Sequence, residues 1–558
     1  MNEAILVPST PAFGRRGAVV SPQRLASEAG LGILRAGGSA VDAAIATNAA
    51  LAVVASHSCG LGGDAFWLIW ADGRQSSLNG SGRSGAAATI EAARSAVRGR
   101  RLPLHGPWTV TVPGAVRSWG DAHTRHGRLA WATLLEPAIE LAEGFPATPG
   151  WISAVERGVA LHGPGSDWAR VFRARGRAWR LGETVVISGL AGTLRRLAAE
   201  GPDAAYEGRL ARRTARYLAA RGAPVSAADL AAHRSEWGEP LVTTYRGLQA
   251  TSHPPNSSGV LALELLGVLA CFEPPPRSAF GSLGVRDARW VHVALEAARR
   301  VFADRDRWLT DPAWMVPDAL ATMISPAHAA ELAATIDPDA VAVPRALRAP
   351  RGGGTVYLAA ADRWGSAVSL IESNYAGFGS GLADPQTGIA FQNRGAFFSL
   401  EPRHPNALAP GKRTMHTLTP GMLMRDGRPW LVHGSMGGEI QPQVFAQFVS
   451  AVVDGGLDIA SAVAMPRWAA DVVRHHGPPS VTALEGRFDP EVAAGLEARG
   501  HRVSWRADFD PSLGHQHALE LSWRGQPSRR GPGGPEDEPL EAIAATTDPR
   551  SEGGPSVW

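Results

Sequence analysis

Thr355 heads a strand-like run, TVYLAAAD, directly after three glycines at positions 352–354. A hydroxyl placed there becomes a nucleophile if the chain is cut on its N-terminal side. The freed α-amine, with an ordinary pKa of roughly 7.7–8, can act as general base for the hydroxyl of the same residue. A second hydroxyl, Ser373, ends the next run, SAVSLIES. If Arg363-Trp364-Gly365 forms a three-residue hairpin loop with Gly365 left-handed, Asp362 pairs with Ser366 and Thr355 falls opposite Ser373. Directly opposed residues of an antiparallel pair have Cβ atoms ~4.5–5.5 Å apart, which sets the two hydroxyls side by side. The plain alternative is a glycine linker followed by a β-branched residue that favours strands. Local pattern alone leaves both readings open.

Such a pair needs a sheet beneath it and helices around it, and the flanking sequence carries both signals. From Ser21 to Ala55 apolar residues recur at helical spacing, first through LASEAGLGILRAGG and then through SAVDAAIATNAALAVVA. Gly37-Gly38 ends one helix and Ser39 caps the next. The glycine-rich turn CGLGGD (59–64) leads to AFWLIWADGRQSSLNG, whose alternation predicts a hairpin turning at Asp72-Gly73. Between about 115 and 335 the pattern is mostly helical, as in TLRRLAAE and ARRTARYLAA, broken by the loop SHPPNSSG (252–259). A linker-like stretch at 338–354 precedes the strand runs TVYLAAAD, SAVSLIES and GIAFQN, and WLVHGSMGG and HALELSW also read as strands. The Gly/Pro-rich RGQPSRRGPGGPEDEP (524–539) reads as unstructured, and no repeat period emerges.

Composition narrows the class. The chain has 558 residues, 44% hydrophobic and 19% charged, with no apolar run of about 18 residues, the least that marks a membrane helix. Disorder, collagen-like repeats and a membrane span are therefore poor readings. Basic and acidic residues number 55 and 52, a net charge of +3 that is too small to draw nucleic acid. Nearly all the positive charge is arginine, and Lys412, in APGKR (409–413), is the one lysine. The two cysteines, Cys59 and Cys271, support neither a disulfide framework nor a thiolate metal site. With an N-terminus that lacks a signal-peptide pattern, this points to the cytoplasm.

The segment TVYLAAADRWGSAVSLIESNYAGFGSGLADPQTGIAFQNRG resembles the start of the small subunit in the γ-glutamyltransferase family of N-terminal nucleophile hydrolases. RAGGSAVDAAIATNAALAVVASHSCGLGGDAFWLIW resembles part of the large subunit, as do WTVTVPGAVRSWGDAHTRHG and HPPNSSGVLALELL. HPNALAPGKR and WLVHGSMGG follow in family order, and together the matches run from about residue 17 to about 522. The resemblance implies an α/β fold, a four-layer αββα sandwich formed by a self-cleaving precursor. It implies a large chain, 1–354, and a small chain, 355–558, intertwined as one catalytic domain and able to form a homodimer or heterotetramer. Thr355 then corresponds to the nucleophile, Ser373 to the hydroxyl that orients it, and Gly437 and Gly438 to the pair whose N–H groups hold the oxyanion. No metal or organic cofactor is expected. The expected partners are a small-molecule amide substrate and water or an amine as acceptor.

The chain departs from the family where a γ-glutamyl group would be recognised. That group carries an α-ammonium and an α-carboxylate, which call for acidic partners and an arginine. The family's acidic pair falls on Arg394 and Phe397, and its carboxylate-binding arginine falls on about Ile90, with Arg83 near enough in sequence to substitute. A substrate-contacting asparagine becomes Tyr375, and a serine pair becomes His416-Thr417. These changes favour an acyl group that lacks a free α-amine and ends in a carboxylate gripped by Arg394. Glutaryl chains, as in the family's cephalosporin acylases, and the oxamate of its amidohydrolase members fit that description. A true γ-glutamyl hydrolase or transpeptidase acting on glutathione-like substrates is the alternative.

Readings from other classes are weaker. Gly80-Ser81-Gly82-Arg83-Ser84-Gly85 spells a dinucleotide-binding pattern, but no Asp or Glu lies between Glu91 and Asp121, where the ribose-binding acid belongs. His475-His476 and the pair His515 and His517 lack further ligands at metal-site spacing. An uncleaved, catalytically inactive binding protein is the remaining rival.

Overall fold

The computed structural model describes residues 10–173, 176–342, 354–470, 481–524 and 539–558. Two seven-stranded sheets form its centre. The first runs, in spatial order, Ser556–Val557, Gly17–Val20, Gly354–Asp362, Ala367–Tyr375, Asp64–Ala71, Arg74–Gly80 and Glu236–Gly238. The second runs Ala12–Gly14, Leu540–Thr546, Gln516–Trp523, Arg428–Ser435, Pro420–Arg425, Leu248–Ser252 and Leu241–Tyr245. Neighbouring strands within each sheet pair antiparallel.

Strand periodicity builds the layers. In Gly354–Asp362, Tyr357, Ala359 and Ala361 face the second sheet, where they meet Met422, Val432 and Leu519. Val356, Leu358 and Ala360 point the other way, into a core shared with helices Arg24–Arg35, Ala40–Val54 and Trp131–Glu143. Helices Gly259–Ala270, Ala288–Trp308 and Gln441–Val453 cover the far side of the second sheet. Helices, sheet, sheet and helices give the αββα sandwich. Because successive side chains alternate faces, Thr355 shares the face of Tyr357, and the same count puts Ser373 with Ile371 and Asp64 with Phe66. All three polar residues therefore start between the sheets, at one end of the sandwich.

The local predictions hold where their cause is local. Ser39 caps Ala40–Val54 with a reciprocal box: its Oγ accepts from Asp42 N at 3.1 Å and Asp42 Oδ2 accepts from Ser39 N at 2.9 Å. Every residue of that helix is buried, because it lies between the first sheet and an outer helix. The hairpin turns at Asp72-Gly73, and Gly365 is left-handed at φ 86°, so Thr355 faces Ser373 as expected. The expected strand at GIAFQN does not form. It makes only isolated bridges, Ala383 with Ala390 and Gly62 with Phe391, since its backbone turns to bond Gly62 and Leu382 instead of a ladder. Residues 343–353 of the linker, 525–538 of the Gly/Pro-rich stretch and His475-His476 lie outside the described residues.

Candidate active site

The pairing of Gly354–Asp362 with Ala367–Tyr375 slips by one residue at the Gly354–Thr355 peptide, where Gly354 partners Tyr375 and Thr355 partners Ser373. Asn374 is the extra residue of this bulge, and its backbone N–H donates to Ser58 O at 2.9 Å. A Cβ at position 354 would lie 2.8 Å from His57 O, so only glycine lets the chain pass here. Tyr375 follows with φ 75°, a left-handed conformation that costs a bulky residue about 1–2 kcal/mol and needs firm support.

Ser373 Oγ is the hub. It lies 3.0 Å from Thr355 Oγ1, donates to Gly354 O at 2.8 Å, and accepts from Tyr375 N at 2.7 Å and Arg394 Nη2 at 3.2 Å. Its single proton is aimed at the carbonyl of the Gly354–Thr355 bond. Thr355 is 2% exposed and Ser373 1%.

Arg394 begins the short 3-10 turn Arg394–Phe397, its N–H accepted by Gln392 Oε1. One amino group donates to Ser373 and the other, Nη1, to Thr417 Oγ1 at 3.1 Å. The guanidinium lies 4.5 Å from the Tyr375 ring centroid and 5.5 Å from that of Phe397, and those two rings pack at 4.6 Å. Arg394 is 1% exposed, yet it makes no ion pair among the described residues, and its Nε has no hydrogen-bond partner. Burial pulls its pKa down to about 10. A buried cation without a direct ion pair carries a desolvation penalty that nearby carboxylates such as Asp64 offset only in part, and an anionic ligand would offset it further.

His416 joins the cluster through Asp64. Its Nε2 lies 3.2 Å from Asp64 Oδ2, and its ring stands 4.8 Å from Phe66. Asp64 Oδ1 also accepts from Gly82 N and Gly114 N, each at 3.1 Å. Burial raises the Asp64 carboxyl to about 7 against the pull of Arg394 and these N–H groups, and burial holds His416 well below its ordinary value, hence neutral. On the opposite face of the same sheet, Glu372 takes Asn48 Nδ2 at 2.6 Å and Gly60 N at 2.9 Å, and burial raises it to about 8.

Thr355, Ser373, Tyr375, Arg394 and Thr417 thus form one connected cluster, and His416 adjoins it through Asp64, the cross-strand partner of Ser373. Gly437 and Gly438 occupy the turn between strand Arg428–Ser435 and helix Gln441–Val453, with φ 134° and 62°. The next residue, Glu439, bonds Arg305 Nη1 at 2.7 Å. Arg83 does not join the cluster, because Asp311 at 3.1 Å and Glu236 at 3.0 Å hold its guanidinium. Lys412 Nζ donates to Pro405 O at 2.7 Å, its carbonyl accepts from Ser84 N at 2.8 Å and its N–H donates to Ser84 Oγ at 3.1 Å, tying its loop down. Asp64 and Asn393 were not singled out from sequence. A lone acid at the head of the apolar strand DAFWLIWA was the available signal for Asp64. Asn393, which accepts from Ala376 N at 3.0 Å, carried none.

The gamma-glutamyltranspeptidase family model matches residues 26–558. The "Glutathione hydrolase-like YwrD proenzyme" of Bacillus subtilis is 38% identical over 94% of this chain and 97% of its own length. The "Oxamate amidohydrolase proenzyme" of Klebsiella pneumoniae is 38% identical over 96% and 97%. Among solved structures, the cephalosporin acylase of Bacillus halodurans superposes with a TM-score of 0.86 at 36% identity, covering 100% of this chain and 99% of that one. No described helix is long and apolar enough to cross a membrane. With its sandwich and relatives of this kind along nearly its full length, the chain belongs to the gamma-glutamyltranspeptidase family and is an N-terminal nucleophile enzyme of the amidohydrolase or transferase type.

Proposed function

We propose that Thr355 is the nucleophile, first of its own maturation and then of an amidase or acyltransferase that takes carboxylate-ended acyl groups. In maturation Thr355 Oγ1 attacks the carbonyl carbon of Gly354, and Ser373, donating to that carbonyl oxygen at 2.8 Å, stabilises the charge that develops there. The C–N bond breaks, the nitrogen of Thr355 takes a proton, and an ester to Thr355 Oγ1 remains. Water hydrolyses the ester, leaving a Gly354 carboxylate and a free Thr355 amine, with chains 1–354 and 355–558. In turnover that amine accepts the hydroxyl proton as Oγ1 attacks the substrate amide and passes it to the leaving nitrogen. Gly437 and Gly438 supply oxyanion donors, and water or an amine resolves the acyl-enzyme.

The observation that carries the substrate reading is Arg394, a buried cation that makes no ion pair among the described residues, held by Ser373 and Thr417 beside the candidate nucleophile. Its charge suits a carboxylate and repels an α-ammonium, which favours glutaryl- or oxamate-like acyl groups over γ-glutamyl. Tyr375 and Phe397 form the apolar wall, with Thr417 and His416 beyond. A denaturing gel with N-terminal sequencing tests the first step: two bands, the smaller beginning Thr-Val-Tyr, support it, and an intact chain contradicts it. Matched glutaryl, oxamyl and γ-glutamyl amides assayed with wild type and Arg394→Ala test the second. A γ-glutamyl preference indifferent to Arg394 contradicts it.

A further inference from the structure

On the outer helical layer behind the second sheet, Glu264, Asp304 and His328 converge from helices Gly259–Ala270, Ala288–Trp308 and Pro326–Ala334. Their nearest ligand atoms all lie within 4.8 Å of one another. Glu264 is 1% exposed, and among the described residues neither of its carboxylate oxygens has a hydrogen-bond partner. Its Oε1 points at His328 Nε2 from 3.4 Å, and Asp304 Oδ2 lies 2.7 Å from the same nitrogen. A tetrahedral ion bound at 2.0–2.1 Å separates its ligand atoms by about 3.3 Å, so little movement is needed to seat one. The other ring nitrogen, Nδ1, faces Glu331 Oε2 at 3.6 Å, the outer carboxylate that commonly orients a metal-bound imidazole. The Trp308 ring, 5.6 Å from the imidazole, closes one side.

We propose that Glu264, Asp304 and His328 form a binding site for one divalent transition-metal ion of the Zn²⁺ or Mn²⁺ type, separate from the chemistry at Thr355. One imidazole and two carboxylates neutralise the ion's charge and suit these metals better than Mg²⁺, which prefers an all-oxygen octahedron. The buried Glu264 carboxylate, whose Oε2 has no hydrogen-bond partner and whose Oε1 has only the 3.4 Å contact with His328 among the described residues, gains a partner. Asp304 immediately precedes Arg305, whose guanidinium holds Glu439 next to Gly438, so the ion steadies the helix behind that turn.

The test uses the full chain, stripped with chelator and titrated with ZnCl₂, MnCl₂ or MgCl₂. Calorimetry should show one equivalent of Zn²⁺ or Mn²⁺ bound, and Tm should rise by about 2 °C or more at saturation. MgCl₂ should do neither. Glu264→Gln and His328→Ala should each abolish the binding heat and the Tm rise, and Glu264→Gln, nearly isosteric, separates lost ligation from failed folding. Absence of saturable binding to wild type, or undiminished binding by both variants, overturns the proposal.

Discussion

Ser373 Oγ donates to the carbonyl oxygen of Gly354 at 2.8 Å while lying 3.0 Å from Thr355 Oγ1. One hydroxyl therefore touches both the electrophile and the nucleophile of the proposed self-cleavage. Ser373 Oγ has one proton to give and two lone pairs to receive with, and Tyr375 N and Arg394 Nη2 already compete for the lone pairs. With both lone pairs occupied, the Ser373 proton is left to donate, and Gly354 O lies in range at 2.8 Å.

Ser373→Ala removes this donor. Self-cleavage, followed as loss of the full-length band over time, should slow by roughly 100- to 1000-fold, the range for deleting one oxyanion donor. An unchanged rate would show that the hydroxyl only fills space.

Arg394→Lys keeps the charge but not the fork that reaches Ser373 and Thr417 together. A charge-assisted hydrogen bond contributes about 1.5–3 kcal/mol, so kcat/KM for a glutaryl amide should fall roughly 10- to 150-fold. A glutaryl-to-γ-glutamyl ratio as high as wild type's would argue that charge alone selects.

Asp64 makes stability depend on pH. Its carboxyl is raised to about 7, so the folded chain holds this proton more tightly than the unfolded chain does. The resulting stabilisation is complete below the ordinary value of 3.8 and is lost as pH rises through about 7. Asp64→Asn cannot titrate there, whereas Glu372 titrates in both proteins. The Tm of wild type minus that of Asp64→Asn should thus be more favourable at pH 5 than at pH 8, and a flat difference would refute the shift.

Gly437 combines φ 134° with a tight site, where a Cβ would come within 2.7 Å of Ile440 Cγ1. Gly437→Ala should move the turn and reduce kcat on the cleaved enzyme by at least about 100-fold if its N–H is an oxyanion donor. Full activity with an unchanged Tm would remove Gly437 from that role.

The hairpin register was legible because its causes are local. A three-residue loop closed by a left-handed glycine, joined to strict alternation, leaves one way to pair TVYLAAAD with SAVSLIES, and a one-residue slip would turn every apolar side chain to the wrong face. The helices up to Ala55 were legible for the same kind of reason, through Ser39 and Gly37-Gly38. GIAFQN misled because alternation reports a residue's taste for a half-buried surface, not whether a partner strand is present.

By itself the sequence determined the register that sets Thr355 opposite Ser373 and, through its motifs, the family. Tertiary structure alone decided that Arg394 is buried with no ion pair among the described residues, that Asp64 meets His416, and that Glu264, Asp304 and His328 converge within 4.8 Å. Those relationships join residues far apart in the chain, so no local period or spacing encodes them. The pKa values of Asp64 and Arg394 arise mainly from desolvation, which exists only once sheets and helices have closed around them.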